Sequence, residues 1–217
     1  MVDKNKTAIM CILDRSGSMS SICDDAIGGF NSFIEDQKKQ PGEAVVTVIL
    51  FDDQYDVLYK NKPLKDVPTL TRETFVPRGS TALYDAMGKS IVTLGEELNK
   101  MADNDRPGTV IVTIITDGQE NASREYNLTK IKEMIKEQKE KYSWNFMFLC
   151  ADEATLAESV TWGIPKNLST CFVADGIGSK SSYQAYSCTV SAMRRGIDPS
   201  TMNLAETYNE IDAEARS

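Results

Sequence analysis

The chain has 217 residues, a formal net charge of -8, five cysteines and no histidine. Such a length holds one large domain, or a domain with an appendage, and can bury a substantial core. The acidic balance argues against a nucleic-acid partner, because binding phosphates needs a basic face, and the lack of histidine and of any Cys-x-x-Cys pair argues against zinc.

Met1-Val2-Asp3-Lys4-Asn5-Lys6 leads directly into an apolar run at residues 7–13. The run is too short to span a membrane and has no small-residue cleavage site after it. A cytoplasmic protein with reduced thiols and no membrane contact is therefore expected. Cys11 and Cys150 lie in strand-like runs, and Cys171 and Cys188 are read as buried too. The basic pairs Lys38-Lys39 and Arg194-Arg195 fall near predicted helix C-termini, where cations complement the helix dipole.

Residues 7–13 predict a buried strand, followed by Asp14-Arg15-Ser16-Gly17-Ser18. Alternate residues of an extended loop point the same way, so Asp14, Ser16 and Ser18 can share one side. An acid and two hydroxyls suit a small hard cation, and Gly17 permits a tight turn. Ile22, Ala26, Phe30 and Phe33 then recur at helical spacing until Pro41-Gly42. A β-branched run at 44–51 and a short run at 55–59 flank Asp52-Asp53-Gln54. So tight a connection permits only an antiparallel hairpin, with Asp52 and Asp53 as turn residues. Residues 60–80, with Pro63, Pro68 and Pro77, read as a long irregular connection.

Thr81 stands in a loop just before a helix marked by Tyr84, Met87, Ile91, Leu94, Leu98 and Met101. Asp85, one turn into that helix, favours the dipole or supports neighbouring groups. Residues 109–115 form a continuous apolar strand of the kind buried on both faces, and Asp117 follows it. Leu128, Ile131 and Ile135 mark another helix, capped by Asn127. A strand at 146–150, a helix at 153–162 ended by Gly163-Ile164-Pro165, and a short strand at 171–173 come next. Tyr186, Val190 and Met193 line a last long helix closed by Gly196. Asn121, Asn127 and Asn167 open Asn-x-Ser/Thr triplets that are read as chance. The acidic segment 197–217 is a tail or short helix, so the division is a domain over 1–196 and a tail over 197–217.

Alternating strands and helices imply an α/β fold: a doubly wound, Rossmann-like, mostly parallel six-stranded sheet with helices on both faces. The order 3-2-1-4-5-6 is expected, with strand 3 antiparallel. It sets strands 1 and 4 side by side at the switch point, where ligands bind beyond the carboxyl ends. Asp14 and Asp117 thereby meet in one crevice, by an argument independent of the hydroxyls.

With Thr81 as the third element, the chain resembles the von Willebrand factor type A domain and its metal-ion-dependent adhesion site. That signature is an Asp-x-Ser-x-Ser motif, a separated Thr and a separated Asp, here Asp14, Ser16 and Ser18, then Thr81, then Asp117. The resemblance extends over about residues 7–195. It implies a magnesium or manganese ion bound by Ser16, Ser18 and Thr81, with Asp14 and Asp117 acting directly or through water. It also implies an open coordination position that accepts an Asp or Glu carboxylate of a partner protein. The expected function is a non-enzymatic, stand-alone intracellular binding module.

Two alternatives remain. A magnesium-dependent phosphoesterase also places an acid after strand 1, but here the second motif position is Ser16 where an Asp is needed, and no phosphate-cradling loop exists. Self-association is the other: Glu206, Glu210 and Glu214 form one acidic stripe on a helix, from which a carboxylate can enter the metal site of a second copy.

Overall fold

The computed structural model describes residues 3–217; Met1 and Val2 of the lead-in lie outside the described residues. The first apolar run forms β1 (Asp3–Asp14), and a 3-10 turn (Gly17–Ile22) leads from the hydroxyl loop into α1 (Cys23–Lys38). Then come β2 (Glu43–Phe51), β3 (Tyr55–Pro63), α2 (Leu83–Lys100), β4 (Pro107–Thr116) and α3 (Leu128–Tyr142). The chain continues through β5 (Asn145–Cys150), α4 (Glu153–Thr161), β6 (Ser169–Cys171), α5 (Gly176–Arg194) and α6 (Leu204–Arg216). As predicted, Asn127 caps α3, its side chain accepting from the Lys130 N–H at 3.0 Å.

One sheet runs β3-β2-β1-β4-β5-β6, with β3 antiparallel to β2 and every other pair parallel. This is the doubly wound order expected from the sequence. Alternation along β1 feeds two cores. Ile9, Cys11 and Leu13 pack with Phe30 and Phe33 of α1 and Tyr186 of α5. Ala8, Met10 and Ile12 face α2 and α3, through Met87, Ile91 and Ile131. Burial on both faces explains why β1 and β4 carry unbroken apolar runs.

Three expectations need correction. Strand β6 lies at Ser169–Cys171, where 171–173 was expected. The cause is its neighbour: β5 ends at Cys150, whose carbonyl accepts from the Phe172 N–H at 2.8 Å. Beyond it Val173 has no strand to pair with, and its N–H donates to the Tyr208 hydroxyl at 3.0 Å. Strand β3 runs on to Pro63 where irregular chain was expected. Asn61, at φ 45°, takes up a register shift against β2, so Lys62 and Pro63 rejoin Val46 and Val45. Proline is tolerated there because β3 is an edge. Cys188, read as buried, is exposed, and Cys171 is half-buried. On α5 Cys188 lies two residues from both Tyr186 and Val190, which turns it away from their buried face.

Residues 197–217 form a 3-10 turn (Pro199–Thr201) and α6. Leu204 and Tyr208 of α6 join the core on the α1 and α5 side, and Arg216 pairs with Asp175 at 2.9 Å. Among the described residues no helix is long and apolar enough to cross a membrane.

Candidate functional site

Parallel pairing of Leu13 with Ile115 makes β1 and β4 end side by side. Asp14 therefore emerges beside Thr116 and Asp117. Asp14 is fully buried. One of its carboxylate oxygens accepts from the Ser16 N–H at 2.6 Å, the other from the Thr116 hydroxyl at 2.5 Å. The Ser16 and Ser18 hydroxyls lie 3.1 Å apart, and Ser18 Oγ donates to Asp117 Oδ1 at 2.7 Å. Thr81 is placed through Gly118. A Cβ built on Gly118 lies 3.5 Å from both Ser18 Oγ and Thr81 Oγ1, so these hydroxyls flank the same bare backbone. All five residues singled out in the sequence thus converge on one cleft. Asp14, Ser16 and Thr81 form its buried floor, while Ser18 is exposed and Asp117 half-exposed.

The electrostatics follow from that burial. Burial pushes the Asp14 carboxyl up to about 6, against hydrogen bonds from Thr116 and Ser16 that favour the carboxylate, and the nearby Asp117 charge adds to the rise. Asp117 is raised as well, again by burial, with the Ser18 hydrogen bond opposing. The one cation inside the motif, Arg15, turns away, its Nε on Asp52 at 3.0 Å and an outer nitrogen on Asp56. Two carboxylates and three hydroxyls without a local counter-charge are a donor set that fits a hard divalent cation. Among the described residues no group of three or more His, Cys, Asp or Glu is placed to hold a metal. Any cation here relies on the hydroxyls.

The supporting residues were mostly not foreseen. Asn121, to which the sequence assigned no site role, accepts from the Thr81 N–H through Oδ1 at 2.9 Å, and its own N–H donates to the Thr81 carbonyl at 3.0 Å. Asp85 accepts the N–H groups of Arg124, Glu125 and Tyr126 at 2.8–2.9 Å, fixing the loop after Asp117. Those bonds outweigh burial and hold its carboxyl below the usual range. Asp52 does occupy the hairpin turn, accepting from the Gln54 N–H at 2.6 Å. It is also fully buried and receives Arg15 and Arg78.

No protein-family model matches the sequence, and no curated protein matches it. Solved structures do match in shape. The manganese-loaded TRAP protein of Plasmodium vivax aligns over 82% of this chain and 72% of its own, at 14% identity and a TM-score of 0.57. Proximal thread matrix protein 1 from the mussel byssus aligns over 87% and 46%, at 13% identity and a TM-score of 0.59. A von Willebrand factor type A protein from Catenulispora acidiphila aligns over 97% and 42%, at 14% identity and a TM-score of 0.53. The chain thus spans less than half the length of the last two. At such identity the likeness concerns the fold, which is that of a von Willebrand factor type A domain.

Proposed function

We propose that this chain is a divalent-cation-dependent protein-binding module and not an enzyme. Asp14, Ser16, Ser18, Thr81 and Asp117 hold magnesium, or manganese, and an Asp or Glu carboxylate of a partner protein docks on the ion. The observation that carries the reading is the convergence of two poorly compensated carboxylates with three hydroxyls at the β1/β4 switch point. That a structure of similar fold is manganese-loaded supports it further.

Each residue has a stated part. Asp14 supplies charge from the floor, its orientation kept by Thr116 and the Ser16 N–H. Ser16, Ser18 and Thr81 contribute neutral oxygens, so the two acids no more than balance a divalent charge. Magnesium or manganese, when bound, supplies a Lewis-acidic position for an incoming carboxylate. Exposure of Ser18 leaves the cleft open on the side from which a partner arrives. With no histidine in the chain, no imidazole base stands ready for chemistry at that position. All five thiols are free, and we assign the module to a reducing, cytoplasmic setting.

Calorimetric titration with Mn2+ and Mg2+ tests the proposal. Saturable binding to the wild type, lost in Asp14→Ala, is the expected result; no binding, or equal binding to the variant, overturns it. Magnesium-dependent turnover of phosphoesters, abolished by Asp14→Ala, would replace it with the hydrolase. The acidic stripe keeps self-association as a second source of the carboxylate, because Glu206, Glu210 and Glu214 all lie exposed on α6. Scattering that stays monomeric with and without Mg2+ excludes that source.

A further inference from the structure

Asp52 is fully buried, yet it contributes no oxygen to the cation cleft. Its Oδ2 accepts from Arg15 Nε at 3.0 Å and from Arg78 Nε at 2.8 Å, while Oδ1 accepts from the Gln54 N–H. Its backbone carbonyl accepts from the Ala82 N–H at 2.9 Å. The same three segments are stitched by backbone bonds. The Arg15 N–H donates to the Phe51 carbonyl and the Arg78 N–H to the Arg15 carbonyl, both at 2.8 Å, and the Gly17 N–H reaches the Gly79 carbonyl at 3.2 Å. One carboxylate therefore joins the loop bearing Asp14, Ser16 and Ser18 to the loop bearing Thr81. Those loops are distant in sequence and have to meet across the hairpin that follows β2.

We infer that Asp52 is a positioning residue of the cleft: it locks the Arg15 and Arg78 segments together, so that Ser16 and Ser18 face Thr81 before an ion arrives. This inference rests on the metal-binding reading above. Charge adds a second effect. Arg15 sits between Asp14 and Ser16 in the chain, and an unneutralised guanidinium there repels a divalent ion. Asp52, with Asp56, takes up that charge and draws the side chain to the far side of the loop. Buried ion pairs frequently serve structure alone, so the test must read the cleft itself and not only the stability of the fold.

Two variants serve, Asp52→Asn and Arg78→Ala; the second removes a side chain that is 47% exposed and spares the fold if the first does not. Mn2+ affinity is measured by calorimetry, and hydrogen exchange at Gly17 and Ala82 is followed in the metal-free protein. Both variants are expected to bind Mn2+ about tenfold or more weakly, the range seen when groups that orient metal ligands are removed. Gly17 and Ala82 are expected to lose protection together while strands β1 and β4 keep theirs. Arg78→Lys, which retains the charge without the planar fork, should fall between wild type and Arg78→Ala. Variants that bind Mn2+ as the wild type does, or that keep both amides protected, overturn the role of Asp52. A wild type that binds no Mn2+ overturns the metal-binding reading instead.

Discussion

Asp14 is held by two strong hydrogen bonds and still carries a carboxyl raised to about 6. Burial wins because the neighbouring charge is another carboxylate and the adjacent arginine is engaged elsewhere. The consequence has a definite sign. Between about pH 4 and pH 6 the folded metal-free chain keeps a proton on Asp14 that the unfolded chain, with an ordinary aspartate, has released. Metal-free stability therefore rises as pH falls from 7 through about 6, and Asp14→Asn removes that part of the dependence. Asp52 moves the other way, because its arginines and the Gln54 N–H outweigh burial and hold it below the usual range. Its contribution is lost only below about pH 4, outside this window. An ion competes with the Asp14 proton, so the gap between melting curves with and without Mn2+ should be wide at pH 7.5 and close below pH 6. A gap that does not change with pH would remove Asp14 from the ligand set. The five oxygen donors were legible because each follows a strand end or precedes a helix, positions that periodicity locates. Thr116 and the arginine partners of Asp52 were not, since side chains that meet only after the sheet is assembled leave no local pattern.

At the scale of elements, the contrast between α1 and α5 shows where sequence patterning runs out. The aromatic stripe of α1 was plain, whereas α5 is rich in serine and reads as half polar. It is nonetheless buried on almost every side, because α1, the sheet and α6 enclose it. Its hydroxyls are satisfied locally: Ser182 donates to the Ser179 carbonyl and Thr189 to the Ala185 carbonyl. The Gln37 amide of α1 bonds Ser187 and Ser191 across the contact. Arg194, predicted only to complement a dipole, reaches the Gln37 carbonyl at 2.7 Å and caps the end of α1. The position of β6 escapes sequence patterning for a related reason, since the end of a short strand is set by where its neighbour stops. Two adjacent glycines of α1 measure how tight the contact with α5 is. A Cβ on Gly29 would stand 2.2 Å from the Tyr183 ring, while one on Gly28 meets nothing within 4 Å. Gly29→Ala should destabilise by about 1–3 kcal/mol through overpacking. Gly28→Ala should stabilise by about 0.5–1 kcal/mol through reduced chain entropy. Urea unfolding of the pair checks both signs, and equal shifts would mean that α1 and α5 can part without cost.

Across the whole molecule, two cores on opposite faces of one sheet meet at β1 and β4, the strands from which Asp14 and Asp117 emerge. Movement in the cleft is thus resisted by most of the fold, and an ion bound there should stabilise the molecule globally. The size of that effect follows from mass action. At free Mn2+ about one hundred times its dissociation constant, unfolding should become harder by about 2.7 kcal/mol. Trp144 and Trp162 are buried in the core on the α2 side, next to Phe146 and Phe148. Their fluorescence therefore reports global unfolding of that core. The urea midpoint read by tryptophan should shift by the amount that calorimetric affinity requires, and Asp14→Ala should show no shift. A shortfall in the wild type carries its own meaning. The chain has 32 acidic residues and a net charge of -8, so an unfolded form that also binds Mn2+ weakly offsets part of the gain. Mg2+, which gives up its waters reluctantly and demands stricter geometry, should bind the unfolded chain less. Closer agreement between affinity and midpoint shift in Mg2+ than in Mn2+ would assign the shortfall to the unfolded state and leave the cleft as the specific site.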